Sequence, residues 1–343
     1  MPKRLVCTEH NVIDWQEYEL PKKLEPDQIR VRNTHGAEKH GTMASFIHGH
    51  GNKRGRWDAA KQMFMPGGVT WNYPIPLGNM QVGFIEEVGS GIKTYSIKDR
   101  ILYFGGFATS AVIREENSWK IRSDTDWKAA TCLDPVTFAL SALRDSNLRV
   151  GDAVAVFSLG AIGLMAVQMA KLAGCHPIIA IDPLANRREV ALKTGADQVI
   201  NPVGTDVGLA LREATNWRGV DAVIEYSGAM EALQASLRGV AFGGNVVLGA
   251  FPGPMKAGLD LGAEAHMNRP NIHFSRTESD PNREHPRWDN TRVRNTAHRM
   301  IMDGHIKAES IVTPVLKFTD NLVAEYKQVF STPDKSIKLG VEY

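Results

Sequence analysis

The stretch AVAVFSLGAIG, residues 153–163, decides the fold. It opens with a continuous apolar run, which is typical of a strand buried on both faces of a parallel sheet. Two glycines follow, and residues 161–173 then place apolar side chains at helical spacing. A strand, a glycine-containing turn and a helix, in this order, form a unit that binds a dinucleotide. We therefore predict a cofactor-binding loop made of Ser158, Gly160, Ala161, Ile162 and Gly163.

The residue types in this loop suit that role. Gly160 allows the backbone to approach a pyrophosphate, and Gly163 allows the helix to pack closely on the strand. The free N–H groups at the start of the helix then face the phosphates. Ser158 stands where the usual fingerprint has its first glycine, so the motif is imperfect.

Asp182 follows the next predicted strand, about 20 residues beyond the loop. A carboxylate at this point accepts hydrogen bonds from a ribose diol and repels a 2′-phosphate, so the sequence favours NAD over NADP. Arg187 is close enough in sequence to pack on the adenine or reach the ribose, which weakens that preference.

The pattern around the loop predicts an α/β fold with a second, β-rich domain. Downstream, strand and helix patterns alternate, which predicts a doubly wound parallel sheet. The predicted elements there are strands 177–181, 197–200, 222–225 and 245–250 and helix 187–193. Upstream, short apolar runs at 29–32, 82–88, 100–104 and 110–113 predict an antiparallel β-rich domain. After about residue 285 the pattern changes again, with a predicted helix at 292–303 and a strand at 336–341.

Composition excludes several classes of protein. The 343 residues include 40 Lys and Arg against 38 Asp and Glu. A formal charge of +2 does not produce the positive electrostatic potential that binds nucleic acid or an anionic membrane. Three cysteines, far apart in sequence, cannot form a disulfide framework. No apolar run approaches the ~20 residues that span a bilayer. Because the first residues also lack an apolar segment of signal-peptide length, we expect a cytoplasmic protein.

Several motifs resemble those of the medium-chain dehydrogenases/reductases, particularly the polyol and threonine dehydrogenases. They are His40-Gly41-Thr42, Pro76-Leu77-Gly78, residues 87–92 (EVGSGI), Lys98-Asp99-Arg100, residues 194–201 (TGADQVIN) and residues 221–228 (DAVIEYSG). The resemblance implies a GroES-like catalytic domain interrupted by a Rossmann domain, which we expect at 1–149 and 150–287, with 288–343 returning to the catalytic domain. It also implies a homo-oligomer, a dimer or tetramer. Further cofactor contacts are expected at Ser227, Gly228, Gly249, Ala250 and Phe251.

The chain departs from this family where the resemblance would place zinc. Zinc-dependent members have Cys before Gly-Thr and Asp after it, whereas this chain has His40 and Met43. Their Gly-His-Glu is Gly78-Asn79-Met80 here, and Asp134 matches a further ligand position. A catalytic zinc site needs three strong protein donors and an open position, and Asn is a poor zinc ligand. We therefore predict that no metal is bound.

Without a metal, a side chain must take the proton as hydride leaves the alcohol. His40 has a suitable unperturbed pKa, and Lys39 becomes a second candidate if burial lowers its pKa. Asp134 is placed by the resemblance to orient the base, although it equally suits a helix cap. Thr42 matches the family's substrate-contacting hydroxyl, and Asn79 is expected to bond a substrate hydroxyl.

The sequence therefore predicts an NAD-dependent, zinc-independent dehydrogenase of a secondary alcohol on a sugar, polyol or cyclitol. Two polar segments, 48–57 and 275–289, combine charged residues with Trp and suit a polyhydroxylated substrate, or else form a linker or an oligomer contact. Four alternatives stay open: a redox-neutral epimerase or eliminase with retained NAD, a zinc-dependent alcohol dehydrogenase, a non-catalytic NAD-binding protein, and an enone or quinone reductase.

Overall fold

The computed structural model describes residues 2–49, 54–67, 71–255, 258–277 and 283–343. Its strands are β1 (Lys3–Glu9), β2 (Val12–Glu17), β3 (Gln28–Ala37), β4 (Arg56–Asp58), β5 (Met63–Met65), β6 (Ile75–Pro76), β7 (Met80–Val88), β8 (Arg100–Phe104), β9 (Ser110–Arg114), β10 (Ser118–Lys120), β11 (Val154–Phe157), β12 (Ile178–Ile181), β13 (Gln198–Ile200), β14 (Val220–Glu225), β15 (Val240–Leu248), β16 (Asn271–Phe274), β17 (Val312–Lys317) and β18 (Lys338–Glu342). Its helices are α1 (His40–Ile47), α2 (Trp127–Ala130), α3 (Leu133–Asp145), α4 (Ala161–Leu172), α5 (Ala185–Thr194), α6 (Val207–Ala214), α7 (Met230–Gly239), α8 (Glu264–Asn268), α9 (Asn290–Met302) and α10 (Leu322–Ser331).

The chain forms two compact units. The first unit comprises Met1–Cys132 and Val312–Tyr343, and the second comprises Leu133–Ile311. The domain boundaries expected from the sequence lie elsewhere, at 149/150 and 287/288. They differ because α3 packs against α4 and α9, which keeps residues 133–149 and the segment up to Ile311 with the second unit.

The second unit contains a parallel sheet with strand order β13-β12-β11-β14-β15-β16. Numbered within the unit, this is the order 3-2-1-4-5-6 of a Rossmann fold. Every residue of β11 and β12 is buried, because both faces of the sheet are covered. The predicted doubly wound sheet is confirmed, although β15 begins five residues before the predicted 245. Ligands of such sheets bind outside the carboxyl ends of the strands, beside the point where strand order reverses.

The first unit is built on antiparallel β-structure, as the sequence predicts. Its larger sheet has the order β10-β8-β7-β3-β18-β17, with β9 also paired to β3. The last strand, β18, comes from the returning tail and lies antiparallel to β3, with Gly340 opposite Ala37. The tail therefore contributes a strand beside the segment that leads into α1.

The polar segment 48–57 leads into a hairpin. The hairpin is formed by β4 and β5, in which Arg56 pairs with Met65 and Asp58 with Met63. Apolar alternation in these strands is too short to have signalled the hairpin from sequence.

Within the described residues, no helix has the length and apolar character needed to cross a membrane.

Candidate active site

The loop after β11 is a tight turn that leads directly into α4. Ser158 adopts a left-handed conformation with φ of 69°, and Gly160 is the N-cap of α4. A Cβ placed on Gly160 would meet nothing within 4 Å, so open space lies before its backbone. A Cβ on Gly163 would lie 1.9 Å from the Ser158 carbonyl oxygen, so glycine alone allows the helix to sit this close to the turn.

Asp182 anchors the same loop from the end of β12. Its side chain is 2% exposed, and its two oxygens accept the Leu159 N–H at 2.7 Å and the Leu184 N–H at 2.8 Å. Arg187 places Nη1 3.7 Å from the Asp182 carboxylate, while its buried Nε has no hydrogen-bond partner among the described residues. The acidic residue thus shapes the turn as well as carrying charge, a role that the sequence did not reveal.

A cleft of about 710 Å³ opens between these residues and the start of α7. Ser158, Asp182, Arg187 and Ser227 all line it. The sequence missed Thr205, Asp206 and Arg238, which line the cleft from the neighbouring elements. The sequence gives little sign of these three residues, because they belong to no recognisable motif. They reach the loop only because the fold brings residues 205–238 beside it.

The remaining predicted cofactor residues follow β14 and β15. The backbone N–H groups of Ser227 and Gly228 donate to the buried Glu225 carboxylate, whose pKa is raised by burial. Gly228 has φ of 67°, which favours glycine. Among the described residues, the predicted cofactor positions that do not line the cleft are Gly160, Ala161, Ile162, Gly163, Gly228, Gly249, Ala250 and Phe251. Phe251 is 68% exposed. Cofactor contacts at all of the predicted positions stay predictions.

The predicted proton acceptors lie in the first unit, at the start of α1. Lys39 is the N-cap of this helix, and His40 is its first residue. The His40 ring packs against Phe330 of α10, with ring centroids 5.0 Å apart, and both of its ring nitrogens are buried. Thr42 follows in the first turn and is partly buried.

Asn79 joins this region through its backbone. Its N–H donates to the Ala37 carbonyl at 3.0 Å, which places it beside the strand that leads to Lys39 and His40. Asp134 belongs to the second unit, in the first turn of α3, where it is 5% exposed. The structure therefore groups Lys39, His40, Thr42 and Asn79 in one unit, and a partnership with Asp134 stays a prediction.

The positions where the resemblance would place zinc offer few donors. Met43 and Met80, at which the resemblance leads one to expect acids, are 5% and 0% exposed and pack as apolar side chains. Among the described parts of the chain, no group of three or more His, Cys, Asp or Glu side chains is placed to hold a metal ion.

The two polar segments are partly occupied by contacts within their own units. His48 Nδ1 lies 2.7 Å from Asn11 Oδ1, and His50 lies outside the described residues. In the second segment, the guanidinium groups of Arg144 and Arg292 lie over the Trp288 ring, at 3.5 and 4.2 Å from its centroid. This packing attaches Trp288 to α3 and α9. Whether the segment contacts substrate, forms a linker or contacts another subunit stays a prediction, and residues 278–282 lie outside the described residues.

Comparison with known proteins identifies the family. D-guloside 3-dehydrogenase of Escherichia coli (strain K12) is 38% identical over 351 residues, covering 99% of this chain and 100% of that protein. The chain belongs to the medium-chain dehydrogenases/reductases. A family model described as zinc-binding dehydrogenase matches residues 161–284 of this medium-chain dehydrogenase, which lie within the second unit.

Solved structures share the fold of this medium-chain dehydrogenase along its whole length. The crystal structure of 2R,3R-butanediol dehydrogenase from Bacillus subtilis matches with a TM-score of 0.81 at 20% identity, covering 100% of both chains. Galactitol-1-phosphate dehydrogenase from Escherichia coli matches with a TM-score of 0.80 at 17% identity, covering 99% of this chain and 100% of that chain. The GroES-like and Rossmann architecture expected from the sequence is confirmed, and the chain is an oxidoreductase of the dehydrogenase type.

Proposed function

We propose that this dehydrogenase oxidises a secondary ring hydroxyl of a glycoside with NAD, without zinc, and catalyses the reverse reduction. The observation that carries the proposal is the full-length similarity to D-guloside 3-dehydrogenase at 38% identity. This similarity narrows the broader class of sugars, polyols and cyclitols to sugars carried as glycosides. The partner is a small molecule, and a cytoplasmic homo-oligomer remains part of the proposal.

The second unit supplies the cofactor site in this proposal. Gly160 and the N-terminus of α4 receive the pyrophosphate, because the space before Gly160 is open and a helix N-terminus offers its free N–H groups to an anion. Asp182 and Arg187 line the part of the cleft suited to the adenosine ribose. The buried negative charge of Asp182 favours the free diol of NAD over a 2′-phosphate. When bound, the nicotinamide supplies the hydride acceptor.

Zinc does not fit the residues of the first unit. A catalytic zinc needs three protein donors and an open position, whereas His40 and Asn79 offer one strong ligand between them. The absence of a three-donor cluster among the described residues supports a site that works with organic side chains.

The first unit therefore supplies the proton acceptor. His40 Nε2 or Nδ1, or the Lys39 amine, accepts the hydroxyl proton as the carbinol carbon loses hydride. Thr42 and Asn79 are proposed to hold substrate hydroxyls by hydrogen bonds. Asp134 is proposed to orient and stabilise the protonated base.

The proposal is tested with the purified full-length chain, NAD or NADP, and a panel of methyl glycosides and free polyols. We expect NADH to form fastest with NAD and a glycoside, before and after dialysis against EDTA, with no stoichiometric metal by elemental analysis. Loss of turnover on chelation, restored by Zn²⁺, would overturn the zinc-free site. Exchange of the carbinol hydrogen without net NADH would replace the dehydrogenase by a redox-neutral enzyme.

A further inference from the structure

A buried charged cluster lies directly behind the predicted proton acceptors. Glu38, fully buried, connects β3 to the start of α1. Its carboxylate accepts the Lys39 N–H at 2.9 Å through Oε1 and the Tyr326 hydroxyl at 2.6 Å through Oε2. The carboxylate is thus tied on one side to the acceptor segment and on the other to α10.

Lys338 of β18 joins the cluster. It is 1% exposed, and its Nζ donates a hydrogen bond to the Glu38 carbonyl oxygen. Burial raises the Glu38 pKa to about 7, while the Tyr326 hydroxyl, the Lys39 and Gly78 N–H groups and the Lys338 charge oppose this rise. The burial of Tyr326 raises its own pKa as well, so its hydroxyl remains a proton donor to the carboxylate.

Helix α10 connects this cluster to His40. Tyr326 and Phe330 are four residues apart and therefore lie on the same face of the helix, with ring centroids 4.9 Å apart. Tyr326 holds Glu38 while Phe330 packs against the His40 ring. One face of one helix in the returning tail therefore touches both ends of the segment that carries the proposed base.

Fold stability alone does not explain this cluster. A buried carboxylate and ammonium pay a desolvation penalty that their attraction often fails to recover, and apolar side chains of similar volume commonly serve stability as well or better. The cluster also lies outside the motifs by which the sequence resembles its family, since Glu38 and Lys338 carry no signal on their own.

We propose that Glu38, Tyr326 and Lys338 form a clamp by which the returning tail fixes the backbone and the electrostatic surroundings of Lys39 and His40. Glu38 and Tyr326 are then positioning residues that act through the proton acceptor. The proposal rests on the proposed function only in naming that acceptor.

The decisive variant is Tyr326→Phe, compared with Tyr103→Phe. Both tyrosines are buried in the first unit and donate one hydroxyl hydrogen bond to a side chain, Tyr103 to Asn33 Oδ1 at 2.8 Å. We expect both variants to lower the midpoint of thermal unfolding by a similar amount. Only Tyr326→Phe is expected to lower kcat, by about 10-fold, with the KM for NAD unchanged, because a small displacement of a reacting group has a large effect on rate.

Glu38→Gln separates positioning from stability. The amide keeps the shape and removes the buried charge, so at pH 8 we expect no fall in the unfolding midpoint, a lower kcat and a shifted pH profile of kcat/KM. Equal kcat values and superimposable pH profiles for wild type, Glu38→Gln and Tyr326→Phe would overturn the clamp. A loss of unfolding midpoint and kcat together in Glu38→Gln would make the cluster merely structural and would overturn it too.

A readout independent of turnover distinguishes this inference from the proposed function. The His40 imidazole is followed by NMR in protein labelled at histidine Cε1, with His40→Gln assigning the signal. We expect Glu38→Gln and Tyr326→Phe to shift the pH at which His40 titrates, because Tyr326 and Phe330 join Glu38 to the His40 ring on one face of α10, and Tyr103→Phe to leave it in place. An unchanged titration overturns the clamp even if the enzyme is active. Failure of every glycoside to react, with the titration shifted as expected, overturns the proposed function alone.

Discussion

The proposed cofactor cleft of the second unit and the proposed acceptor site of the first unit are built in different ways. The cleft's loop and Asp182 lie within residues 153–182, and the hydrogen bonds that join the loop to the end of β12 span 23 positions in sequence. The acceptor site joins Glu38 to Tyr326 and Lys338 across 288 and 300 positions. The loop side of the cleft is therefore determined by residues close together in sequence, whereas the contacts around Glu38 form only after the tail has returned to the first unit.

This contrast implies that variants in the two regions should fail differently. A change in the loop alters cofactor affinity and local backbone geometry. A change near His40 alters turnover while the cofactor still binds. Each prediction below challenges or refines that division, beginning with the largest expected effect.

Replacement of His40 by Ala is expected to lower kcat by about 10²–10⁴-fold, the usual contribution of a general base. Since the cofactor loop belongs to the other unit, the NADH dissociation constant should remain that of wild type. Steady-state kinetics and fluorescence titration measure the two quantities. Wild-type kcat in His40→Ala, combined with its loss in Lys39→Met, would make Lys39 the acceptor.

Gly163 and Gly160 offer a matched pair in the loop. Gly163→Ala is expected to lower the free energy of unfolding by about 3 kcal/mol, because the new methyl meets the backbone oxygen of Ser158 and the helix must move. Gly160→Ala has open space before it and should leave stability within about 1 kcal/mol of wild type. We expect the second change instead to weaken NADH binding by about 10-fold, since the methyl enters the space proposed for the pyrophosphate.

Urea unfolding and NADH titration of the same two variants check this pair. Unchanged NADH affinity in Gly160→Ala would show that the pyrophosphate lies elsewhere. Unchanged stability in Gly163→Ala would mean that the helix can move away from the turn at little cost.

These two glycines also show what the sequence can predict. The apolar run, the spacing of glycines 160 and 163 and the position of Asp182 were enough to place the parallel sheet and its loop, because each feature acts on its near neighbours. The cleft's far wall at Asp206 and Arg238 was missed, since those residues reach the loop only through the order of strands. Glu38 was missed for a stronger reason: nothing near it in sequence indicates that Tyr326 and Lys338 will bury it.

Glu38 gives a pH-dependent prediction for the first unit. Its pKa rises from 4.5 in an unfolded chain to about 7 in the folded one, so between these values the folded state binds more protons. Its contribution to stability is therefore present below pH 4.5 and is lost as pH rises through 7, by on the order of 3 kcal/mol. Glu38→Gln removes this slope from the free energy of unfolding measured by urea between pH 4.5 and 8. The same change at exposed Glu116 should leave the slope intact, and an identical slope in both variants would contradict the prediction.

The smallest expected effect concerns the choice of cofactor. Asp182→Asn removes the negative charge facing the proposed ribose and relieves the pairing with Arg187 Nη1, 3.7 Å away, so the affinity ratio of NADH to NADPH should fall by about 10-fold. Asp206→Asn changes the same charge elsewhere in the cleft and serves as the control. Because Asp182 also accepts two backbone N–H groups, Asp182→Asn should lower the free energy of unfolding as well. The hydrogen bonds of Asp206 go to Leu209 and Arg238, so Asp206→Asn breaks none of the bonds that Asp182 makes. An equal change of the NADH to NADPH affinity ratio in both variants would contradict the prediction. The preference for NADH would then depend on the total charge of the cleft and not on Asp182 beside the ribose.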